Sequence, residues 1–157
     1  MKIGIGYDIH RLIRSRKLIL GGVKIPSEKG LLGYSDADVL IHAICDAILG
    51  AAGEPDIGEN FPDIEPKYKG VSSSTLLKEV NRIIKKKGYR INNIDTTVIL
   101  EKPRLSLFKD RIRENLAGIL GIGVASINVK AKTNEGFNGI GRNKAIAAYA
   151  VASLKKL

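Results

Sequence analysis

The chain carries only two histidines, His10 and His42, and both stand at defined spacings from carboxylates. Asp8 and His10 are residues i and i+2 of Gly4-Ile5-Gly6-Tyr7-Asp8-Ile9-His10, so on an extended strand both side chains leave the same face. His42 lies in an apolar helical stretch, with Asp38 and Asp46 at i−4 and i+4. If strand and helix pack together, two imidazoles and one carboxylate converge and leave a coordination position open. Three protein ligands suit a catalytic metal, because structural zinc sites are generally closed by four. Asp38, His42 and Asp46 drift by only about 40° per step around a helix, which predicts a polar stripe. In that stripe Asp38 or Asp46 holds the second nitrogen of His42 and fixes its tautomer. Cys45, at i+3 from His42 in an alanine- and isoleucine-rich setting, reads as packing rather than as a soft ligand.

These residues need elements to hold them. Residues 2–9 alternate: Ile3, Ile5, Tyr7 and Ile9 make an apolar face, and Gly4, Gly6, Asp8 and His10 make the other. The two glycines allow another backbone or a ligand to come close where the polar pair begins. Gly21-Gly22 predicts a hairpin between strands 18–20 and 23–25. Ser35 is placed to cap a buried helix running to Ala52, with Gly53 as its stop and Pro55 just beyond. Prolines, glycines and acids make residues 54–70 an irregular loop. Ser72 or Ser73 then opens a helix with Leu76, Val80, Ile83 and Ile84 on one face. That helix closes at Lys85-Lys86-Lys87 before Gly88. A strand over 94–100, a helix through Phe108, Ile112, Leu116 and Ile119, and a strand over 127–133 follow. The alanine-rich end reads as a helix over 142–155. Arg142 and Lys144 would then sit at its positive end, where a glycine-rich approach and free N–H groups make an anion site.

The 157 residues fit one domain, 1–157, and a 44% hydrophobic content supports an ordinary core. The formal charge of +10 asks for an anionic partner, but the basic residues are scattered and aromatics are only 5% of the chain. Nucleic acid is therefore not the expected partner, and a small phosphorylated substrate explains the local charge equally well. One cysteine excludes an internal disulfide framework and fits a reducing cytoplasm. No run approaches the roughly 18 apolar residues of a membrane span, and the opening is too short for a signal peptide, so a soluble cytoplasmic protein is expected.

An open His/His/Asp site, a second carboxylate at Glu135 and several anion-binding features suit phosphoryl chemistry, in which metal ions clamp phosphoryl oxygens. Two histidines and a carboxylate also make the facial triad of a non-haem iron oxygenase. A binding module that captures nucleic acid or isoprenoid diphosphates without turnover, and a phosphohydrolase giving linear products, are further readings.

A resemblance covers nearly the whole chain. Gly6-Tyr7-Asp8-Ile9-His10-Arg11, Leu20-Gly21-Gly22-Val23-Lys24-Ile25-Pro26, Ser35-Asp36-Ala37-Asp38-Val39-Leu40-Ile41-His42-Ala43, Asp56-Ile57-Gly58, Phe61-Pro62-Asp63 and Lys130-Ala131-Lys132-Thr133-Asn134-Glu135 occur in the order and spacing of one family. With them the chain resembles the 2-C-methyl-D-erythritol 2,4-cyclodiphosphate synthases. The resemblance implies an α/β (α+β) fold, a mixed β-sheet packed against helices, in a homotrimer with active sites at subunit interfaces. The implied substrate is 4-CDP-2-C-methyl-D-erythritol 2-phosphate: its 2-phosphate attacks the β-phosphate, CMP leaves, and the cyclodiphosphate of the non-mevalonate isoprenoid pathway results.

Carried over by position, Asp8, His10 and His42 would hold Zn2+ or another divalent cation, and Glu135 a Mg2+ or Mn2+ ion on the diphosphate. Asp56, Ile57, Gly58, Phe61 and Asp63 would grip the methylerythritol part, with Ile9 and Ser35 also at the substrate. Residues Leu100, Pro103 and Ser106 of the neighbouring subunit, with Ala131, Lys132, Thr133 and Asn134, would line the cytidine pocket. Tyr34 and Thr133 would steady the reacting phosphates.

Three positions depart from the family pattern. Tyr34 stands where histidine is usual, which removes a cationic contribution. Gly139 stands where phenylalanine is common. Asn143-Lys144-Ala145 replaces a usual Gly-Glu-Gly. The family counterparts of Gly139, Arg142 and Lys144 face a channel on the threefold axis that can hold isoprenoid diphosphates. Lys144 should make this channel more cationic.

Overall fold

The computed structural model describes residues 1–157. Strand β1 (Lys2–Arg14) runs five residues beyond the predicted end and carries Asp8 and His10 in its middle. The hairpin β2 (Leu18–Leu20) and β3 (Val23–Ile25) follows, then β4 (Lys29–Leu31). Helix α1 (Val39–Ala52), the one-turn α2 (Ile57–Asn60) and α3 (Ser73–Lys86) come next. Strand β5 (Tyr89–Ile99), helix α4 (Lys109–Leu120), strand β6 (Ile127–Lys132), the one-turn α5 (Asn138–Gly141) and strand β7 (Ala145–Lys156) complete the chain. Five strands form one sheet in the order β4-β1-β7-β5-β6, antiparallel except for β5 beside β6. The longer helices cover one face of this mixed sheet.

The closest helix-to-sheet approach positions the histidines. Every second residue of β1 faces α1, beginning with Gly4 and Gly6. A Cβ at Gly6 would strike the Ala43 carbonyl and the Ala47 nitrogen, and one at Gly4 would strike the backbone of Ala47 and Ala51. The alanines recur every four residues, so one smooth helix stripe seats on the glycines. The next two residues on that face of β1 are Asp8 and His10, and the residue just before Ala43 is His42. Helix α1 is buried nearly all round, and Cys45 is fully buried, as packing predicts.

The predicted terminal helix over 142–155 is instead β7, the strand between β1 and β5. Its inward residues Ala148, Ala150, Ala152 and Leu154 alternate with the more exposed Tyr149, Val151, Ser153 and Lys155. Helix propensity favours alanine by only tenths of a kcal/mol per residue, whereas a central strand bonds to two neighbours along its length. With no helix there, Arg142 and Lys144 flank no helix N-terminus, and the anion site built on its free N–H groups is withdrawn. Helix α1 also starts later than expected. Asp38 caps it, accepting the Ile41 N–H at 3.1 Å, while Ser35 Oγ takes the Ala37 N–H in the preceding loop.

The other face of the sheet is bare. Ile3 and Ile5 are 64% and 70% exposed, and Tyr7, Ile9, Tyr149 and Val151 continue the patch. Tyr7 and Tyr149 are cross-strand partners with ring centroids 4.8 Å apart. The predicted apolar face of β1 therefore points away from the core.

Candidate metal centre and substrate pockets

Asp8 Oδ2 lies 2.9 Å from His10 Nε2 and 3.0 Å from His42 Nδ1, and the two ring nitrogens are 3.2 Å apart. One ligand atom from each residue falls within 4.8 Å of the others. This donor set fits a divalent cation such as zinc: two imidazoles and a carboxylate converge on one point and leave room for a further ligand. Burial alone would raise the Asp8 carboxyl, but hydrogen bonds and charge from His10 and His42 hold it well below the usual range. Burial opposes protonation of His10, yet Asp8 and the Leu32 carbonyl raise it. His10 Nδ1 donates to that carbonyl at 2.8 Å, which aims Nε2 at the centre.

His42 and Asp46 share a side of α1 and line one pocket, but neither Asp38 nor Asp46 holds the second nitrogen of His42 as predicted. Asp38 is fully buried and accepts the N–H groups of Gly21 at 3.0 Å and Gly22 at 2.6 Å besides that of Ile41, tying the β2–β3 turn to α1. Asp46 accepts the Ile57 N–H at 2.8 Å and anchors the loop that follows α1. Helical spacing sets which residues share a side of α1, but the partner elements decide what each carboxylate meets. His42 Nε2 is instead 3.0 Å from Ser73 Oγ and 3.3 Å from Ser35 Oγ.

A pocket of about 220 Å³ opens over the centre, and Tyr34, Ser35, Ile57, Gly58, Phe61 and Asp63 line it with Asp8, His10 and His42. Asp56 caps α2 by accepting the Glu59 N–H at 2.9 Å, which sets Ile57 and Gly58 at its rim. Arg16 donates to the carbonyls of Leu31 at 3.1 Å and Ser35 at 3.1 Å, bracing the loop that bears Tyr34. Ile9 is not brought to the pocket: its side chain lies on the opposite sheet face, and only its N–H reaches Asp8, at 2.8 Å. A larger groove of about 650 Å³ beside Ser15 and Lys24 holds no such cluster.

Leu100, Pro103, Ser106, Ala131, Lys132 and Thr133 line a second pocket, of about 240 Å³. Thr133 Oγ1 donates to Glu135 Oε1 at 2.9 Å. Glu101 accepts the N–H groups of Asn134 at 3.1 Å and Gly136 at 3.2 Å, gripping the turn on both sides of Glu135. Glu135 itself has φ +50°, so this turn depends on such support. Arg142 lines neither pocket and follows α5 on the exposed surface. The pockets occupy different parts of the sheet. Asp8 is level with Ala148, Val98 and Ala131 across three successive strand pairings, a span of about 14 Å at the usual strand spacing.

Sequence reasoning missed Arg16, Asp36, Ser73 and Glu101 as parts of these sites. Asp36 and Ser73 stood out only as helix-start residues, and Arg16 and Glu101 had no local pattern at all.

Known proteins are similar to this chain in sequence and fold. The profile of the YgbB family matches residues 1–155. The 2-C-methyl-D-erythritol 2,4-cyclodiphosphate synthase of Alkaliphilus oremlandii is 54% identical over 156 residues, covering 99% of each chain. That of Clostridium acetobutylicum is 56% identical over 154 residues, covering 98% of this chain and 99% of its own. The Plasmodium falciparum IspF–CDP complex superposes with a TM-score of 0.86 at 39% identity, over 99% of this chain and 96% of that one. The bifunctional IspDF of Campylobacter jejuni superposes at 0.96 with 40% identity, and this chain spans 42% of its length. With the profile matched almost from end to end, and with relatives aligned over their full length, the chain belongs to the YgbB family.

Proposed function

We propose that residues 1–157 act as one metal-dependent 2-C-methyl-D-erythritol 2,4-cyclodiphosphate synthase unit. It converts 4-CDP-2-C-methyl-D-erythritol 2-phosphate to the cyclodiphosphate and releases CMP, in non-mevalonate isoprenoid precursor biosynthesis. The observation that carries this reading is the convergence of Asp8, His10 and His42 under a pocket rimmed by Ile57, Gly58 and Asp63. When bound there, a zinc ion would draw charge from a β-phosphate oxygen. Asp8, His10 and His42 hold it in this reading, and Glu135, steadied by Thr133, holds a magnesium or manganese ion on the diphosphate. Residues 56–63 orient the methylerythritol part, while Tyr34 donates a hydrogen bond to the reacting phosphates and Thr133 steadies them through Glu135. Positioning and charge neutralisation of this kind supply most of the catalysis in phosphoryl transfer.

The unit works as a homotrimer. Two features support this: the bare apolar sheet face, and two pockets too far apart within one chain to share a diphosphate. A ring of subunits joins one chain's metal pocket to its neighbour's cytidine pocket, the one lined by Leu100, Pro103, Ser106, Ala131 and Lys132. Arg142 and Lys144 then face the threefold axis with Gly139 and make it receptive to an isoprenoid diphosphate or another anion. The localisation that goes with this reading is cytoplasmic; no helix is long and apolar enough to cross a membrane.

Phosphorus NMR of the cytidine substrate incubated with enzyme, zinc and magnesium tests the reading. A cyclic diphosphate with stoichiometric CMP is expected; linear phosphates would establish a hydrolase, and unchanged substrate a binding protein. The His42→Ala variant is expected to lose turnover by at least about a thousandfold, with its circular dichroism and oligomeric state preserved.

A further inference from the structure

His42 has two ring nitrogens, and metal binding uses only one of them. Nδ1 faces Asp8 and His10, whereas Nε2 points into the protein, 3.0 Å from Ser73 Oγ. Ser73, the first residue of α3, is fully buried, so water does not compete for this contact. Both Ser73 donors are directed at one carboxylate. Its N–H donates to Asp36 Oδ2 at 3.0 Å, and its hydroxyl donates to Asp36 Oδ1 in a short hydrogen bond. An ionised carboxylate only accepts, and a serine hydroxyl has one proton to give. With that proton on Asp36, Ser73 Oγ offers His42 a lone pair and nothing else.

We propose that Asp36 and Ser73 form a relay that holds the proton of His42 on Nε2, so that Nδ1 is the nitrogen a divalent cation takes in place of its contact with Asp8. The inference rests on the reading of Asp8, His10 and His42 as a metal centre, and it adds two positioning residues from separate segments. The second hydroxyl near His42 agrees with it. Ser35 Oγ accepts the Ala37 N–H through one lone pair and lies 3.3 Å from Nε2, so its second lone pair can share the same Nε2–H. The two histidines are supported differently. His10 gives its second N–H to the neutral carbonyl of Leu32, while His42 is linked through one hydroxyl to a full negative charge. A carboxylate partner makes an imidazole a stronger donor to a metal than a neutral one does. The Asp36 carboxylate is itself held in place, since Oδ1 also accepts the Asp38 N–H at 3.3 Å. The relay thereby joins the loop before α1, the start of α3 and the first turn of α1 at one point.

Two readouts test it on the full-length protein. Long-range proton–nitrogen correlation spectra of the metal-free protein, labelled with nitrogen-15 at histidine, report each tautomer. Wild type is expected to show His42 protonated at Nε2, whether or not Nδ1 also gives a proton to Asp8 in the absence of metal. Ser73→Ala is expected to give a mixture of tautomers at His42 and an unchanged His10. Zinc affinity, from competition with a chelating dye, is expected to fall about 10- to 100-fold in Ser73→Ala and by a smaller factor in Asp36→Asn. Should Ser73→Ala fail to fold, Asp36→Asn carries both readouts. An Nε2 that stays fully protonated and wild-type zinc affinity in the folded variants would overturn the relay and leave the metal centre standing. Wild-type protein that binds no zinc would overturn the metal centre, and the metal-free spectra would still judge the relay.

Discussion

Four aspartates within reach of α1 have four different roles, and their surroundings explain why. Asp8 faces two imidazoles; Asp36 faces Ser73; Asp46 anchors a loop; Asp38 joins a turn to a helix start. Burial pushes the Asp38 carboxyl up to about 6, although the N–H groups of Gly22, Ile41 and Gly21 pull the other way. The folded state thus binds this proton more tightly than the unfolded chain, whose ordinary aspartate value is 3.8. The Asp38 contribution to stability is therefore greatest below 3.8, declines as pH rises towards 6 and is flat above that. Thermal unfolding of wild type and Asp38→Asn between pH 4 and 7 checks this: their Tm difference should shift against wild type as pH rises through that window, and a constant difference would refute it. Tyr34 lines the metal pocket where a histidine would add positive charge. Tyr34→His is expected to raise kcat by about tenfold, since a charge-assisted hydrogen bond exceeds a neutral one by about 1–1.5 kcal/mol. Steady-state kinetics at saturating metal decide it, and equal rates would remove Tyr34 from phosphate handling. The residue identities of the metal trio were legible from the rarity of histidine and the two-residue spacing on β1. The partner of His42 Nε2 was not, because Ser73 lies 31 residues away on another helix.

The packing of β1 against α1 is the joint on which the centre depends. Gly6 faces backbone atoms of α1 rather than a yielding side chain, so a methyl group there cannot be absorbed by rotamer changes. Gly6→Ala is expected to destabilise by at least about 3 kcal/mol in urea unfolding and to lower zinc affinity, because α1 must move and take His42 with it. Unchanged zinc affinity would show that the trio tolerates helix displacement. The hairpin, α3, α4 and β6 were readable from turn residues and apolar periodicity, signals that are local. Strand β7 was not. Its alanines favour helix in isolation, and only the presence of β1 on one side and β5 on the other makes the extended form lower in free energy.

The molecule as a whole leaves an apolar sheet face open that a protein of this size would normally cover. Ile3, Ile5, Tyr7 and Val151 form a continuous patch on adjacent strands, and such patches mark association surfaces. In the proposed trimer this face supplies the contact that brings two different pockets together. Ile5→Asp combined with Val151→Asp is expected to yield monomers by size-exclusion chromatography with light scattering. The monomers should retain their circular dichroism and zinc affinity but lose turnover by at least about a hundredfold, because each catalytic unit is then half complete. Full activity in a monomer would show that one chain holds both pockets in working order.

Composition, motif spacing and periodicity determined which side chains are candidates for the chemistry proposed here, and they did so because strand and helix repeats fix which neighbours share a face. Asp8 beside His10, the hairpin at Gly21-Gly22 and the run of buried helix around His42 all follow from interactions within about ten residues of chain. Three-dimensional packing alone decided the rest: that β7 is a strand, that Asp38 binds backbone rather than imidazole, that Ser73 and Asp36 stand behind His42, and that the apolar face of β1 looks outward. Each of these depends on contacts between segments far apart in the chain, whose approach is set by the volume of every side chain between them.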